Sequence, residues 1–412
     1  MTRSVLVLGA GMVGTCTALH LQRRGFEVTL VDRREPGRET SFGNAGLIQR
    51  ESVEPYPFPR EPGFVLQAAL RRGPQVNWHP RGLMQMAGPL LRYWRNSRPD
   101  AHARATAAYS RLIAYALDEH APLIEAAGAG DLVTRQGFRF VFRSGDALEE
   151  GIRRARRLEG DFDVRHDVED ASALARAEPA LKRPLAGAVR WLDPWAVSDP
   201  GALVQRYATL FEARGGRLVE GDAQTLAPVG AGWSVRTNGG RIDAAHAVVA
   251  LGPWADALVQ ALGYRMPLFL KRGYHQHYPA VTSLRQPILD AEHGYVLAPM
   301  RRGLRLTTGA EFAPVDAPPT PVQIGRAESL ARDLVDLGAP LPEAPWLGAR
   351  PCTADMLPVM GPAPRHPGLW FNFGHAHQGF TLGPVAGRML AEMIDGAAPW
   401  IDPAPYLPAR FV

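Results

Sequence analysis

The chain has 412 residues, 46% of them hydrophobic and 21% charged, a balance typical of soluble globular proteins at a length that asks for more than one core. Its formal charge of +5 is carried almost wholly by arginine, lysine occurring only as Lys182 and Lys271, and pairs such as Arg33-Arg34 are scattered rather than gathered into a stripe with interleaved aromatics, which weighs against a nucleic-acid partner. Two cysteines, Cys16 and Cys352, make neither a disulfide framework nor a C-x-x-C pair, and no apolar run reaches the roughly 18 residues of a membrane span, so a cytoplasmic protein is expected.

In chain order, residues 5–8 read as a short buried strand, too brief an apolar run for a secretory signal. Residues 12–24 read as a helix stopped by Gly25, and 28–31 as a second strand ending at Asp32. Strand, glycine turn, helix and strand make a βαβ unit. The stretch 55–99 is rich in Pro, Arg and large apolar groups. Helix is expected over 101–127, strand over 138–142, and helices over 144–157 and 168–177. Asp199-Pro200 is a helix start, with Asp199 as cap and Pro200 in the first turn, and the helix ends at Gly215-Gly216. Strands follow at 217–220, 233–237 and 247–251. A second sheet is expected from 271–278, 295–298 and 304–308, then a loop at 314–321, a helix at 324–337, a strand at 370–373 and a closing helix at 384–394.

Gly9-Ala10-Gly11-Met12-Val13-Gly14 fits G-x-G-x-x-G. Gly9 allows the tight turn, Gly11 lets backbone approach a pyrophosphate, and Gly14 lets helix and strand pack closely. The helix N-terminus then offers N–H groups to phosphates. Asp32 stands where a carboxylate accepts bonds from an adenosine ribose, and the spacing points to a dinucleotide. Arg33 and Arg34 raise the possibility of a 2′-phosphate, but three small-residue segments favour FAD. These are Thr40-Ser41-Phe42-Gly43-Asn44-Ala45-Gly46, the strand running into Gly252, and Gly374-His375-Ala376-His377-Gln378-Gly379-Phe380-Thr381. Each lets backbone approach a large flat ring, and a helix N-terminus at the last of them can stabilise negative charge on a reduced ring.

Together with Leu270-Lys271-Arg272-Gly273-Tyr274, Gly348-Ala349-Arg350-Pro351 and Pro358-Val359-Met360-Gly361, these segments give a full-length resemblance to the D-amino acid dehydrogenase group of the D-amino acid oxidase superfamily. The resemblance implies a Rossmann-like, α/β FAD-binding domain (residues 1–50, 195–260 and 350–412) interleaved with an α+β, mixed-sheet substrate domain (51–194 and 261–349). It implies noncovalent FAD held by Gly9, Gly11, Gly14, Asp32, Arg33, Ser41, Asn44, Ala45, Gly46, Gly252, Gly374, Gly379 and Thr381. It places Arg350 against the substrate carboxylate, a match of guanidinium to carboxylate that is chemically apt, with Tyr295 and His375 as further catalytic candidates. The chain departs from dehydrogenases of D-alanine type at Ala376-His377-Gln378, where they carry Gly and small residues, and at Met356-Leu357, where a Gly usually follows the aspartate.

The expected reaction is hydride transfer from the amino acid Cα to the flavin N5, which needs no strong general base. Arg305 stands where sarcosine-type oxidases carry an oxygen-activating Lys, favouring a quinone or carrier protein as electron acceptor. A D-amino acid is the expected substrate. A cyclic or N-methylated amino acid is the nearest alternative, and a flavin-binding subunit of a hetero-oligomer another. The aromatic stretch 64–94 reads as a contact for a membrane surface or acceptor on the inner face of the cytoplasmic membrane, or equally as an active-site cover or oligomer contact. His275-Gln276-His277 and His375-Ala376-His377 lack a third ligand at metal spacing, so no metal is expected.

Overall fold

A computed structural model describes residues 3–71, 73–281 and 283–411. Two sheets dominate it. In the first, eight strands lie in the order Gly240–Ala244, Gly232–Thr237, Arg217–Val229, Glu27–Asp32, Ser4–Leu8, His246–Val249, Leu369–Phe373 and Val359–Pro362. The middle five run parallel, Ser4–Leu8 sitting between Glu27–Asp32 and His246–Val249. Val5, Leu6, Val7 and Leu8 are all buried, as a strand covered on both faces requires.

The helix Met12–Arg23 follows the glycine turn. Gly9 has φ of +105°, and a Cβ there would lie 2.5 Å from the Ala250 carbonyl oxygen; one on Gly14 would lie 1.8 Å from that of Gly9. No side chain can be accommodated at either point. The last long helix, Gly379–Ile394, lies against Met12–Arg23, and Gly387 is what lets it: a Cβ there would meet Cys16 backbone at 2.8 Å. Cys16 is thereby a fully buried, free core residue. Pro200–Ala213 packs on the same helix, and Asp199 caps it as expected, accepting the Ala202 N–H at 3.0 Å.

The second sheet is mixed and centres on the long strand Leu268–Tyr278, which pairs antiparallel with Gly303–Thr307 and with Trp346–Thr353. Helix Val322–Leu334 covers one face. A small third sheet joins Leu47–Ile48, Trp195–Val197 and Val133–Thr134.

Three expectations about elements need correction. The helix over 101–127 is two helices, Pro99–Ala114 and Ala116–Ala126, broken at Tyr115. Residues 168–177 are not all helical. His166–Asp170 is a strand against Gly187–Trp191, and only Ala171–Ala177 is helix, its first turn capped by Asp170 through the Ala173 N–H at 2.7 Å. The closing helix starts at Gly379, five residues before Pro384. The stretch 55–99 supplies two further helices, Pro62–Ala69 and Pro80–Asn96, each with proline at its start.

Candidate active site

One long cavity of about 1540 Å³ runs from the glycine turn of the first sheet to the face of the second. At its first end Gly9, Gly11, Met12 and Val13 form the wall, so the start of helix Met12–Arg23 directs its dipole at whatever lies there. Ser41 Oγ accepts the Met12 N–H at 3.0 Å and ties the 40–46 loop to that helix end. Asp32 and Gly252 line the same region. So does Arg33, whose guanidinium lies 4.5 Å from the Trp254 ring centre and pairs with Glu39 at 3.1 Å. Arg34 pairs with the same Glu39 oxygen at 3.1 Å, so the two guanidiniums share one carboxylate at this end of the cavity.

Midway, Asn44, Ala45, Gly374 and Gly379 line the wall. Asn44 shapes the loop itself, its Oδ1 accepting the N–H groups of Gly46 at 2.8 Å and Leu47 at 3.2 Å. Gly14, Gly46 and Thr381 stand just behind that wall. Gly14 allows the helix to pack, a Cβ on Gly46 would lie 2.3 Å from the Val197 carbonyl oxygen, and Thr381 Oγ1 accepts the Gln49 N–H at 3.2 Å.

At the far end stands Arg350, partly buried, its Nη1 donating to the Gly309 carbonyl at 3.1 Å. Burial pulls its guanidinium below the ordinary value. Among the described residues no carboxylate pairs with it, so one donor-rich face is left for an anion. His375 is buried at the turn after Leu369–Phe373, its Nε2 without a hydrogen-bond partner among the described residues. Burial lowers its pKa to about 3. His377 is likewise lowered to about 3, by burial first and then by Arg350 and Lys271. Both are neutral imidazoles at physiological pH, able to donate or accept but poor reservoirs of positive charge.

The structure sets Tyr295 behind the cavity wall. It is 1% exposed and absent from the cavity wall, where its neighbour Val296 stands instead. Alternate residues of a strand face opposite ways, and the Tyr295 hydroxyl accepts from Arg143 Nη2 at 3.3 Å on the other side. Arg305 is also off the cavity wall. It donates to the Phe42 carbonyl at 3.0 Å and to that of Asn44, holding the 40–46 loop.

Several wall residues carry no role in the sequence reading. Trp346 stacks on His275 at 5.0 Å and covers Gly43, where a Cβ would lie 1.7 Å from the indole. Gln49 accepts from Gln378 Nε2 at 2.7 Å and donates to Glu51 at 2.6 Å. Burial raises Glu51 to about 7, so it holds a proton near neutrality. Met356 and Ala376, both on the wall, have φ of +68° and +50°. These are left-handed positions that favour glycine, and they coincide with the two departures from the D-alanine type of dehydrogenase.

The model of the family described as "DAO: FAD dependent oxidoreductase" matches residues 4–393. The chain belongs to the DAO family. FAD is therefore its cofactor, and the wall fits it: glycines at 11, 252, 374 and 379 let backbone approach a flat molecule, while His375 Nε2 has no partner among the described residues. This DAO-family chain is 34% identical over 421 residues to a D-amino acid dehydrogenase of Cereibacter sphaeroides (strain ATCC 17029 / ATH 2.4.9), covering 99% of this chain and 95% of the relative. It is 31% identical to a D-amino-acid oxidase of Bradyrhizobium diazoefficiens, over 100% and 99% of the two chains. Among solved structures it resembles glycine oxidase from Geobacillus kaustophilus, with a TM-score of 0.74, 22% identity and coverage of 99% and 98%. It also resembles L-proline dehydrogenase from P. horikoshii, with a TM-score of 0.73, 18% identity and coverage of 99% and 97%. Both likenesses are of fold.

Proposed function

We propose that this DAO-family oxidoreductase is a D-amino acid dehydrogenase that passes its electrons to a quinone or another carrier. The observation that carries the substrate side of this reading is Arg350, a guanidinium without a carboxylate partner among the described residues, in a cavity wall also lined by glycines. An amino acid's α-carboxylate matches its fork. FAD supplies the hydride acceptor, and the chain's own residues supply position and electrostatics. The substrate gives up its Cα hydrogen with the bonding pair while its amine is unprotonated; the imino acid then hydrolyses to a 2-keto acid and ammonia. Neutral His375 and His377 suit this chemistry, because neither adds a positive charge beside the carbon on which the imine forms. The D-configuration is supported by the names of relatives at 30–34% identity.

The acceptor side rests on the cavity rim. Phe64, Val65, Leu90, Leu91 and Trp94 line the cavity, and Leu66 and Met84 on the same two helices are 60% and 73% exposed. Among the described residues no helix is long and apolar enough to cross a membrane. An apolar rim of this kind suits a quinone or the surface that holds one.

The test is anaerobic flavin reduction with a panel of D-, L-, cyclic and N-methyl amino acids, followed by reoxidation with air or a soluble quinone. Bleaching by D-isomers and faster reoxidation by quinone are expected. Bleaching by L-isomers alone, or reoxidation fastest with oxygen, would overturn the corresponding half of the reading.

A further inference from the structure

Lys271 and Arg350 are direct partners on the antiparallel strands Leu268–Tyr278 and Trp346–Thr353. Opposed residues leave the same face of a sheet, and both line the cavity. Phe269, Lys271, Gly273 and Tyr274 line the cavity, whereas the side chain of Arg272 among them is turned away and paired with Glu311 at 2.6 Å. Two like charges set opposite one another repel, and partial burial adds to the cost.

Arg272 has its carboxylate; Lys271 and Arg350, among the described residues, have none. Lys271 Nζ donates instead to the Tyr93 hydroxyl at 2.9 Å and stands 4.6 Å from the centre of that ring, while Arg350 bonds the Gly309 carbonyl. Gly273, beside them, is kept bare: a Cβ there would lie 2.6 Å from Arg350 Nη2. This lysine is one of two in a chain whose other basic residues are arginines. One α-carboxylate satisfies the fork of a guanidinium. An ammonium without a counter-charge is then left over.

We propose that the substrate is a dicarboxylic amino acid, its α-carboxylate on Arg350 and its second carboxylate on Lys271, with Tyr93 fixing the lysine's position. The proposal rests on the reading of Arg350 as the α-carboxylate anchor. It makes Lys271 a specificity-determining residue that selects an acidic side chain against its amide or alkyl counterpart.

The experiment is stopped-flow anaerobic reduction of the holoenzyme by D-glutamate and D-aspartate, each against its amide, D-glutamine or D-asparagine. The acid is expected to exceed the amide in reduction kcat/KM by roughly tenfold or more, the ratio falling to about one in Lys271→Met and being largely kept in Lys271→Arg. The better of the two acids reports the distance between the cations. A ratio of one or less in the unmodified protein for both pairs, or a ratio untouched by Lys271→Met, overturns the proposal. A second measurement separates it from the reaction itself. Glutarate and butyrate are titrated against the flavin absorbance of the unmodified holoenzyme and of Lys271→Met, with flavin content checked in each. Tighter binding of glutarate, lost in the variant, supports the second anion site even if no D-amino acid reduces the flavin; equal binding of the two acids by the unmodified protein overturns it.

Discussion

His120 Nε2 donates to the carbonyl oxygen of Phe380 at 3.0 Å, in the first turn of the closing helix. That oxygen is the one Pro384, lacking an N–H, cannot serve. The imidazole replaces the missing backbone bond, and it also lies 3.2 Å from the Thr381 carbonyl while its Nδ1 accepts from the Tyr207 hydroxyl.

The arrangement requires a neutral His120, since Nδ1 must keep its lone pair, and burial lowers its pKa from 6.5 to about 4. The unfolded chain therefore binds a proton that the folded one refuses. The contribution is full above pH 6.5 and is lost as pH falls toward 4. Acidification from pH 7.5 to 5 should cost the parent protein on the order of 2 kcal/mol more than it costs His120→Gln. Urea melts of both proteins at the two pH values measure this, and equal losses would show that the imidazole is already protonated in the fold.

Asp32 accepts the Ala10 N–H on Oδ2 at 2.6 Å and the Arg34 N–H on Oδ1 at 3.0 Å. It thus braces the glycine turn from inside the FAD site while keeping lone pairs toward the cavity. On the reading that Asp32 also accepts from the FAD ribose, Asp32→Ala removes that bond together with a charge-assisted bond to the turn, so FAD should bind roughly ten- to a hundredfold more weakly. Flavin fluorescence on serial dilution reads the release. Undiminished affinity would place the ribose elsewhere.

Arg350→Met keeps the bulk of the side chain and deletes its fork. Reduction kcat/KM for the best amino acid should fall at least about 30-fold, in keeping with the loss of a buried carboxylate partner. Flavin content should stay at the parent level, which separates lost substrate binding from lost structure. Parent-like kcat/KM would remove Arg350 from the site.

Tyr295→Phe makes the opposite contrast. Its hydroxyl faces Arg143, so substrate kinetics should be unchanged while stability drops by about 1 kcal/mol for the lost hydrogen bond. A large fall in kcat/KM with normal stability would return this residue to the active site.

The parts of the fold that were legible are those punctuated by residues with one physical use. Gly9, Gly11, Gly14 and Asp32 mark out a βαβ unit because each answers a steric or electrostatic demand that little else can meet, and Asp199-Pro200 marks a helix start for the same reason. Elements decided by tertiary partners were not legible. The break at Tyr115 lets Ala116–Ala126 bring His120 beneath the closing helix, and nothing local in 101–127 announces it. His166–Asp170 is a largely exposed strand whose polar residues carry no burial alternation, so its pairing with Gly187–Trp191 left no periodic trace. In the site, the difficulty was phase. A strand gives alternate residues to opposite faces, and a shift of one decides between Tyr295 and Val296, or between Lys271 and Arg272. Periodicity finds the strand, whereas only the register with Trp346–Thr353 shows which of its residues meet Arg350.

The placing of Ser4–Leu8 between strands that begin at Glu27 and His246, with Leu369–Phe373 next in line, has a consequence for biosynthesis. Most of the polypeptide must leave the ribosome before the parallel sheet can close and Gly379–Ile394 can dock on the first helix. Cofactor capture is thus a late event in the life of the nascent chain, and a chaperone that shields the apolar centres of those early strands would have to hold them through most of translation.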